Sequence, residues 1–580
     1  MKEQEEFLPP AALVALSLIT GLAAFFGFQD AGMSLIVMCI VVGLALIVWA
    51  SRQYAVHPIA GYVTLLILAI TVLSFSSTRN WYYTWVTVMW LWLGWGMFVV
   101  GLSWLRPTET RKRLGLWLLV TQAVVAGSGI FAFLQTNQRA TGLLGNANGI
   151  GGVLLWGIFL ALMLVISNVR RHWTMPLLAL LVTGWLMTIS LTAFVAAIIP
   201  TVVLLTWFRR VIRWKRLALM VAVGLGSMAL IWFAWKPQKL VTLMTGQHVR
   251  FSFNQRLEFG RAAIRMWQAR PLTGWGLGTY KQILPRFTAQ FDEQPLYTHN
   301  LYLQVLAESG IFVALGWVGI VIWIGRCGWT AVHQATGREK IFLQGAFLGW
   351  LAFTIHGAVD FSWFFIAGQL WWILASAVFI LLGHHIPRQP LAQPIHRIIA
   401  VTLALVLLAT SGIFYFAKKY SEEGTKYANE GNDNLAIKAL SRAVALTGDP
   451  NDVTLLAEGY HVRNQEGDLQ RGEQVIKDTL RRNPDEYFLY DSLGVNLSAQ
   501  KRLPEAITAF ATAYSLDPFF HPQFSYNYIT ALRKADQAEE AKDVLRQVFV
   551  KYGNAHMANP IILRQLPLLE KLRSELLPNE

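Results

Sequence analysis

The chain reads as long apolar runs separated by short polar connections. Runs of bilayer-spanning length recur at 11–28, 31–50, 58–75, 82–105, 114–134, 149–167, 174–190, 191–207, 217–235, 299–325, 341–356, 363–382 and 398–416. Near Ser190 the pattern admits two readings, a pair of helices or one long helix with a re-entrant piece over 174–207. The polar stretch 237–298 stands apart as the one long segment between apolar runs, and the apolar runs end at Phe416. The pattern predicts an all-α protein: a polytopic membrane bundle over 1–416 with about 12–13 transmembrane helices, then a soluble helical domain over 420–580.

Within the polar stretch, residues Arg256 to Arg270 make an amphipathic helix when placed at about 100° per residue. Leu257, Phe259, Ala262, Ala263, Ile264, Met266 and Trp267 form the apolar arc, and Glu258, Arg261, Arg265 and Gln268 the opposite polar stripe. Arg256 falls in the middle of the apolar arc, a costly position unless an anion or a carboxylate meets it. The alternatives are that it precedes the helix or extends to the headgroups.

Composition agrees with a membrane protein. Of 580 residues, 54% are hydrophobic and only 14% charged, well below the roughly 25% of soluble domains. The net charge of +15 comes largely from short loops and carries no basic-aromatic recognition motif, so no nucleic-acid partner is expected. Basic residues cluster at Arg106, Arg111, Lys112 and Arg113; at Arg170 and Arg171; from Arg209 to Arg216; and at Arg326, Arg338 and Lys340. With a cytoplasmic N-terminus and the spans above, all four clusters fall inside, as the positive-inside rule asks. The loop 237–298 and the C-terminal domain then lie outside. The acidic start, MKEQEEFLPP, predicts a retained first helix rather than a cleaved signal. Cys39 and Cys327 lie in or beside apolar runs and offer neither a disulfide framework nor a metal cluster.

In the C-terminal domain Pro450, Pro484 and Pro518 follow one another at intervals of 34 residues (484 − 450 and 518 − 484), the period of tetratricopeptide helix pairs. Tyr490, Gly494, Ala506, Phe510 and Ala513 occupy that repeat's packing positions. Such arrays present a concave surface that usually binds peptide or protein, so a protein partner is expected there.

Further motifs carry chemistry. The run Arg256…Trp267…Pro271-Leu272-Thr273-Gly274-Trp275-Gly276-Leu277-Gly278, then His299-Asn300 at the mouth of a span, then Gly310, resembles the signature of the O-antigen ligase and polymerase superfamily. Arg139 to Asn148, entering the span at 149, resembles that family's upstream motif, and the likeness extends over roughly Leu114 to Leu382. Val313 stands where ligases often carry Gly, Thr or Tyr, which leaves ligase and polymerase both open. C-terminal repeats are similar to those of ligases that join glycans to bacterial surface-layer proteins. The resemblance implies a membrane glycosyltransferase that takes a glycan from a polyprenyl-diphosphate carrier to an acceptor hydroxyl on a protein or lipid, at the outer face of a bacterial plasma membrane.

A diphosphate requires cations that can grip its oxygens, which points to Arg256 and Arg139, with Arg261 and Arg265 as further candidates. His299 would accept the acceptor's proton, with Asn300 beside it in the substrate site. His356 and Asp360 are ionisable residues at the end of another span, either functional or satisfied by pairing with each other. The outer loop holds only Asp292 and Glu293 as a carboxylate pair, so the expected chemistry is metal-independent, cofactor-free and, as a single displacement, inverting. The Gly274–Gly278 run lacks the Lys-Ser or Lys-Thr of a phosphate loop and predicts a tight turn. A transporter would show symmetric halves and mid-bilayer charges, and a repeat scaffold would leave Arg256 unexplained.

Overall fold

The computed structural model describes residues 31–51, 58–136, 138–208, 246–288, 294–384, 393–518, 520–553 and 560–577, with the isolated positions 222, 226 and 229. Every regular element among them is helical. The membrane part comprises α1 (Ala31–Ser51), α2 (Ile59–Ser77), α3 (Trp81–Trp104), α4 (Thr108–Thr136), α5 (Ala147–Ile166), α6 (Arg171–Met187) and α7 (Leu191–Phe208). Next come the amphipathic α8 (Gly246–Ala269), then α9 (Leu301–Gln334), α10 (Gly337–His356), α11 (Ile366–Gly383) and α12 (Gln393–Asn429). Among the described residues nine helices are long and apolar enough to cross a bilayer: α1 to α5, α7, α9, α11 and α12. The stretches expected at 174–190 and 341–356 are also helical, but α6 has only 17 residues and α10 opens on Arg338, Glu339 and Lys340. The run 11–28, the run 217–235 apart from the isolated positions 222, 226 and 229, and the basic cluster from Arg209 to Arg216 lie outside the described residues.

The ambiguity near Ser190 resolves into two helices. The chain breaks at Thr188–Ser190, where Ile189 takes a φ of 47°. The bundle is centred on α5, which is buried along nearly its whole length and packs against α4, α6, α7 and α10. Its glycines permit that closeness: a Cβ on Gly152 would lie 2.6 Å from His356 Nδ1, the small-residue device common in membrane bundles. Asn146 caps the helix by accepting from the Gly149 amide at 2.9 Å.

Helix α9 is broken near its start. Gly310 holds φ 77° and ψ 179° inside it, and a Cβ there would meet the Leu272 carbonyl oxygen at 2.1 Å. The segment Pro271–Tyr280 lies along this break. The Ile311 amide donates to the Pro271 carbonyl at 2.9 Å, and the Gly276 amide to that of Glu308 at 2.8 Å. Buried Glu308 accepts from the amides of Gly278 and Tyr280, both at 3.0 Å. The expected tight turn is present, with positive φ at Gly274, Gly276 and Gly278.

Helix α12 leaves the bundle, where it packs on α1, and continues into the C-terminal domain. There it is followed by α13 (Asp433–Thr447), α14 (Pro450–Arg463), α15 (Asp468–Leu480), α16 (Tyr487–Ala499), α17 (Leu503–Leu516), α18 (Pro522–Lys534), α19 (Ala538–Gly553) and α20 (Pro560–Leu576). Each packs on its predecessor. The three equally spaced prolines stand just after α13, α15 and α17, so the sequence period marks the end of every second helix.

This domain is docked onto the bundle. The turn around Pro484 meets the connection between α2 and α3: Arg79 Nε donates to Asp485 at 2.7 Å and Asn80 Nδ2 to Glu486 at 3.0 Å. Arg286 Nη2 lies 2.5 Å from the other Asp485 oxygen, and Gln294 donates to the Tyr487 hydroxyl at 2.8 Å. Phe520, 1% exposed, enters the apolar cluster of Phe259, Ala262, Ala263, Met266, Trp275 and Tyr280.

Candidate functional site

Helix α8 starts at Gly246, so Arg256 lies ten residues inside it and does not precede it. Its neighbours at i+3 and i+7, Phe259 and Ala263, are buried, which places the guanidinium on the packed face. Leu257 and Ile264, assigned to the same apolar arc, are exposed at 42% and 39%, so the packed face is narrower than the arc. A carboxylate meets the misplaced cation: Arg256 Nη2 is 3.0 Å from Asp360 Oδ2.

Asp360 is the hub. Its side chain is 1% exposed, and its other oxygen lies 3.4 Å from His299 Nδ1. Thr192, at the start of α7, donates its hydroxyl to Oδ2 at 3.0 Å, and the Phe361 amide donates to Oδ1 at 2.8 Å. Burial works against the charge. The His299 ring nitrogen 3.4 Å away, together with nearby His356 and Arg256, outweighs it and holds the carboxyl well below the usual carboxylate range. The group is therefore an anion shared by a histidine and an arginine.

His299 has a backbone φ of 55°, uncommon for a side chain of this size. Two bonds support it: the Asn300 amide donates to Thr298 Oγ1 at 3.0 Å, and Thr298 Oγ1 donates back to the Asn300 carbonyl. The ring is fixed by aromatic neighbours, stacked on Phe259 at 5.7 Å and edge-on to Phe361 at 4.6 Å. Tyr297 stacks on Phe364 at 3.7 Å alongside. The imidazole keeps 20% exposure, so with Nδ1 toward Asp360 its other nitrogen is the one available for a proton.

Arg139 anchors the break between α6 and α7. Its Nε donates to the Thr188 carbonyl at 2.8 Å and Nη2 to Asn148 Oδ1 at 2.6 Å. It is close enough to Asp360 and Arg256 to interact with both charges. Asn300 caps α9, its Oδ1 accepting from the Leu303 amide at 3.0 Å. Arg261 and Arg265 stand on the exposed stripe; the first pairs with Glu258, and the second donates to the Phe287 carbonyl at 3.0 Å. His356 is fully buried with its ring against Ser362. It meets Asp360 through the backbone, from the Asp360 amide to the His356 carbonyl at 2.8 Å. Pairing of these two side chains with each other is therefore not what the structure shows.

The structure thus brings His299, Arg256 and Asp360 together, with Arg139 behind them and His356 beneath. Thr192, Phe259, Phe361 and the Tyr297–Phe364 pair complete the site. Their signal in sequence was slight: Thr188, Ser190 and Thr192 form a hydroxyl cluster interrupting an apolar run.

A family model described as O-antigen ligase matches residues 176–318. The match takes in the α6–α7 break, Arg256, His299 and Gly310, and it supports the O-antigen ligase superfamily and a glycan-handling membrane enzyme of ligase or polymerase type. No curated protein and no solved structure matches the chain.

Proposed function

We propose, from the premise of an O-antigen ligase region in a multi-span protein, that the chain is a glycan ligase. It transfers a preassembled glycan from a polyprenyl-diphosphate carrier to an acceptor hydroxyl at the outer face of the plasma membrane. The observation that carries this reading is one buried carboxylate, Asp360, shared by His299 and Arg256.

His299 accepts the hydroxyl proton on the nitrogen away from Asp360, and the carboxylate balances the imidazolium that forms. The acceptor oxygen attacks the anomeric carbon as the bond from that carbon to the diphosphate oxygen breaks. Polyprenyl diphosphate departs with the bonding electrons, and a single displacement inverts the centre. Arg256 and Arg139 meet the charge on the leaving group, so guanidinium groups do what a metal does in other transferases. Two arginines against one carboxylate leave the cluster positively charged, which suits an anionic donor. Arg261, Arg265 and Asn300 would lie further along the donor or acceptor.

The C-terminal helices are read as tetratricopeptide pairs that present a surface to a protein acceptor or partner. The proline period at alternate helix ends supports this, as does Gly494, where a Cβ would lie 2.6 Å from the Phe510 ring.

The test is carrier-lipid and glycoconjugate analysis of a deletion strain restored with wild type, His299→Ala or Arg256→Ala. Both variants are expected to insert normally, leave the acceptor bare and accumulate full-length glycan on the carrier. Near-normal transfer by both removes the assignment, and accumulation of single repeat units makes the enzyme a polymerase.

A further inference from the structure

A second cationic site lies apart from the Asp360 cluster. The end of α2 and the segment after α8 line an open cavity of about 590 Å³, with Ser76, Ser77, Thr78 and Arg79 on one side and Arg270, Pro271, Leu272 and Thr273 on the other. Both α2 and α3 are long and apolar enough to cross a bilayer, so the connection between them, 78–80, lies at the membrane boundary. Trp81, which follows Arg79 and Asn80, is 48% exposed, as aromatic anchors at headgroup level are, and Leu272 in the cavity wall is 59% exposed.

The charge is unbalanced. Arg79 and Arg286 both pair with Asp485. Arg270 donates to the Ser77 carbonyl at 2.9 Å and lies 4.0 Å from the centre of the Trp275 ring. Arg79, Arg286 and Asp485 are the charged groups that act on Arg270. Three guanidinium groups against one carboxylate leave two positive charges (3 − 1) beside an open cavity. The next carboxyl, Glu486, accepts from Asn80 and is pushed up to about 7 by burial, so even its ionised form leaves one positive charge (3 − 2).

We propose that this cavity binds the phosphate of a membrane-anchored phosphate ester, with Arg79 and Arg270 as its cationic ligands. Guanidinium groups match phosphate oxygens in geometry and charge, and the position at headgroup level selects a lipid-borne phosphate over a soluble one. Two lipids carry that chemistry, an anionic phospholipid and a polyprenyl phosphate. The proposal rests on the membrane reading and is independent of the transfer reading.

The test places the full-length protein in phosphatidylcholine nanodiscs doped with equal fractions of phosphatidylglycerol or undecaprenyl phosphate, and counts retained lipids by native mass spectrometry. The doped lipid is expected to be retained over phosphatidylcholine. Arg79→Gln and Arg270→Gln should each lower retention about tenfold, the loss of one charge-assisted bond. Asp485→Asn should raise it severalfold by leaving the arginines unopposed, an effect opposite in sign to a folding defect. His299→Ala should leave retention unchanged even though it stops transfer. Stronger retention of undecaprenyl phosphate that is lost in Arg79→Gln and Arg270→Gln identifies a carrier site here rather than at the Asp360 cluster, and equal, arginine-dependent retention of both lipids identifies a general headgroup site. No preference over phosphatidylcholine, or lower retention in Asp485→Asn, overturns the proposal.

Discussion

Replacing Asp360 by asparagine keeps the side chain's size and removes the charge on which Arg256 and His299 converge. Two effects follow, and the structure separates their sizes. A charge-assisted hydrogen bond is worth roughly 1.5–3 kcal/mol, so losing the anion behind a protonated His299 should slow transfer roughly 10- to 150-fold at about 1.4 kcal/mol per decade. At the observed 3.4 Å, an effective dielectric near 20 sets a ceiling of about 5 kcal/mol. Stability should fall less than the roughly 3–5 kcal/mol of a fully buried broken pair, because the Arg256 side chain keeps 23% exposure and water screens it. The assay is single-turnover transfer from a lipid-linked glycan by purified protein, with a thermal melt on the same sample. A folded Asp360→Asn protein that transfers within twofold of wild type would refute the reasoning, since His299 would then work without its anion.

Gly310→Ala should lower the melting temperature by several degrees, because left-handed strain of about 1–3 kcal/mol adds to a clash with the Leu272 carbonyl; differential scanning fluorimetry reads it. Phe520→Ala should cost about 3–5 kcal/mol in the docked domain and reduce transfer although the residue lies far from Asp360 in sequence; a melt and a transfer assay on one preparation check both. Burial pushes Glu486 up from an ordinary 4.5 to about 7. The folded state therefore holds a proton the unfolded state releases, and stability falls by about 3 kcal/mol as pH rises from 4.5 to 7. Protection factors at Trp81 and Tyr82, whose amides donate to Arg482 and Asn483 of the docked turn, taken after correction for the intrinsic pH dependence of amide exchange, should fall over that range in wild type and stay level in Glu486→Gln.

Much of the site is legible from residues because the signals are local. A cation in an apolar arc marks Arg256, and its cost requires a carboxylate; only the fold says that the carboxylate is Asp360, 104 positions along the chain. The helical wheel alone separates Arg261 and Arg265 from Arg256, and they do stand on the exposed stripe. The glycines after Pro271 predict a tight turn, and three of them have positive φ. What stays hidden is long-range. Thr192 looks like one more hydroxyl in a membrane helix until the break at Thr188–Ser190 turns it toward Asp360. Arg139 reads as a phosphate ligand, whereas its nearest partners are the Thr188 carbonyl and Asn148. Nothing local marks Phe520, in the connection after α17, as the residue that docking places in the α8 cluster.

That last contact has a consequence for biosynthesis. Helix α8 carries Arg256, and the cluster on its packed face includes a ring that leaves the ribosome more than 250 residues later (520 − 256). The packing of the helix is completed only when the last part of the chain has been made and folded back. A partly synthesised molecule therefore has all of α8 to α11 but lacks one wall of the cluster that supports α8. Activity is expected only once synthesis has passed residue 520, and chains truncated before it should be inactive without any regulator to silence them.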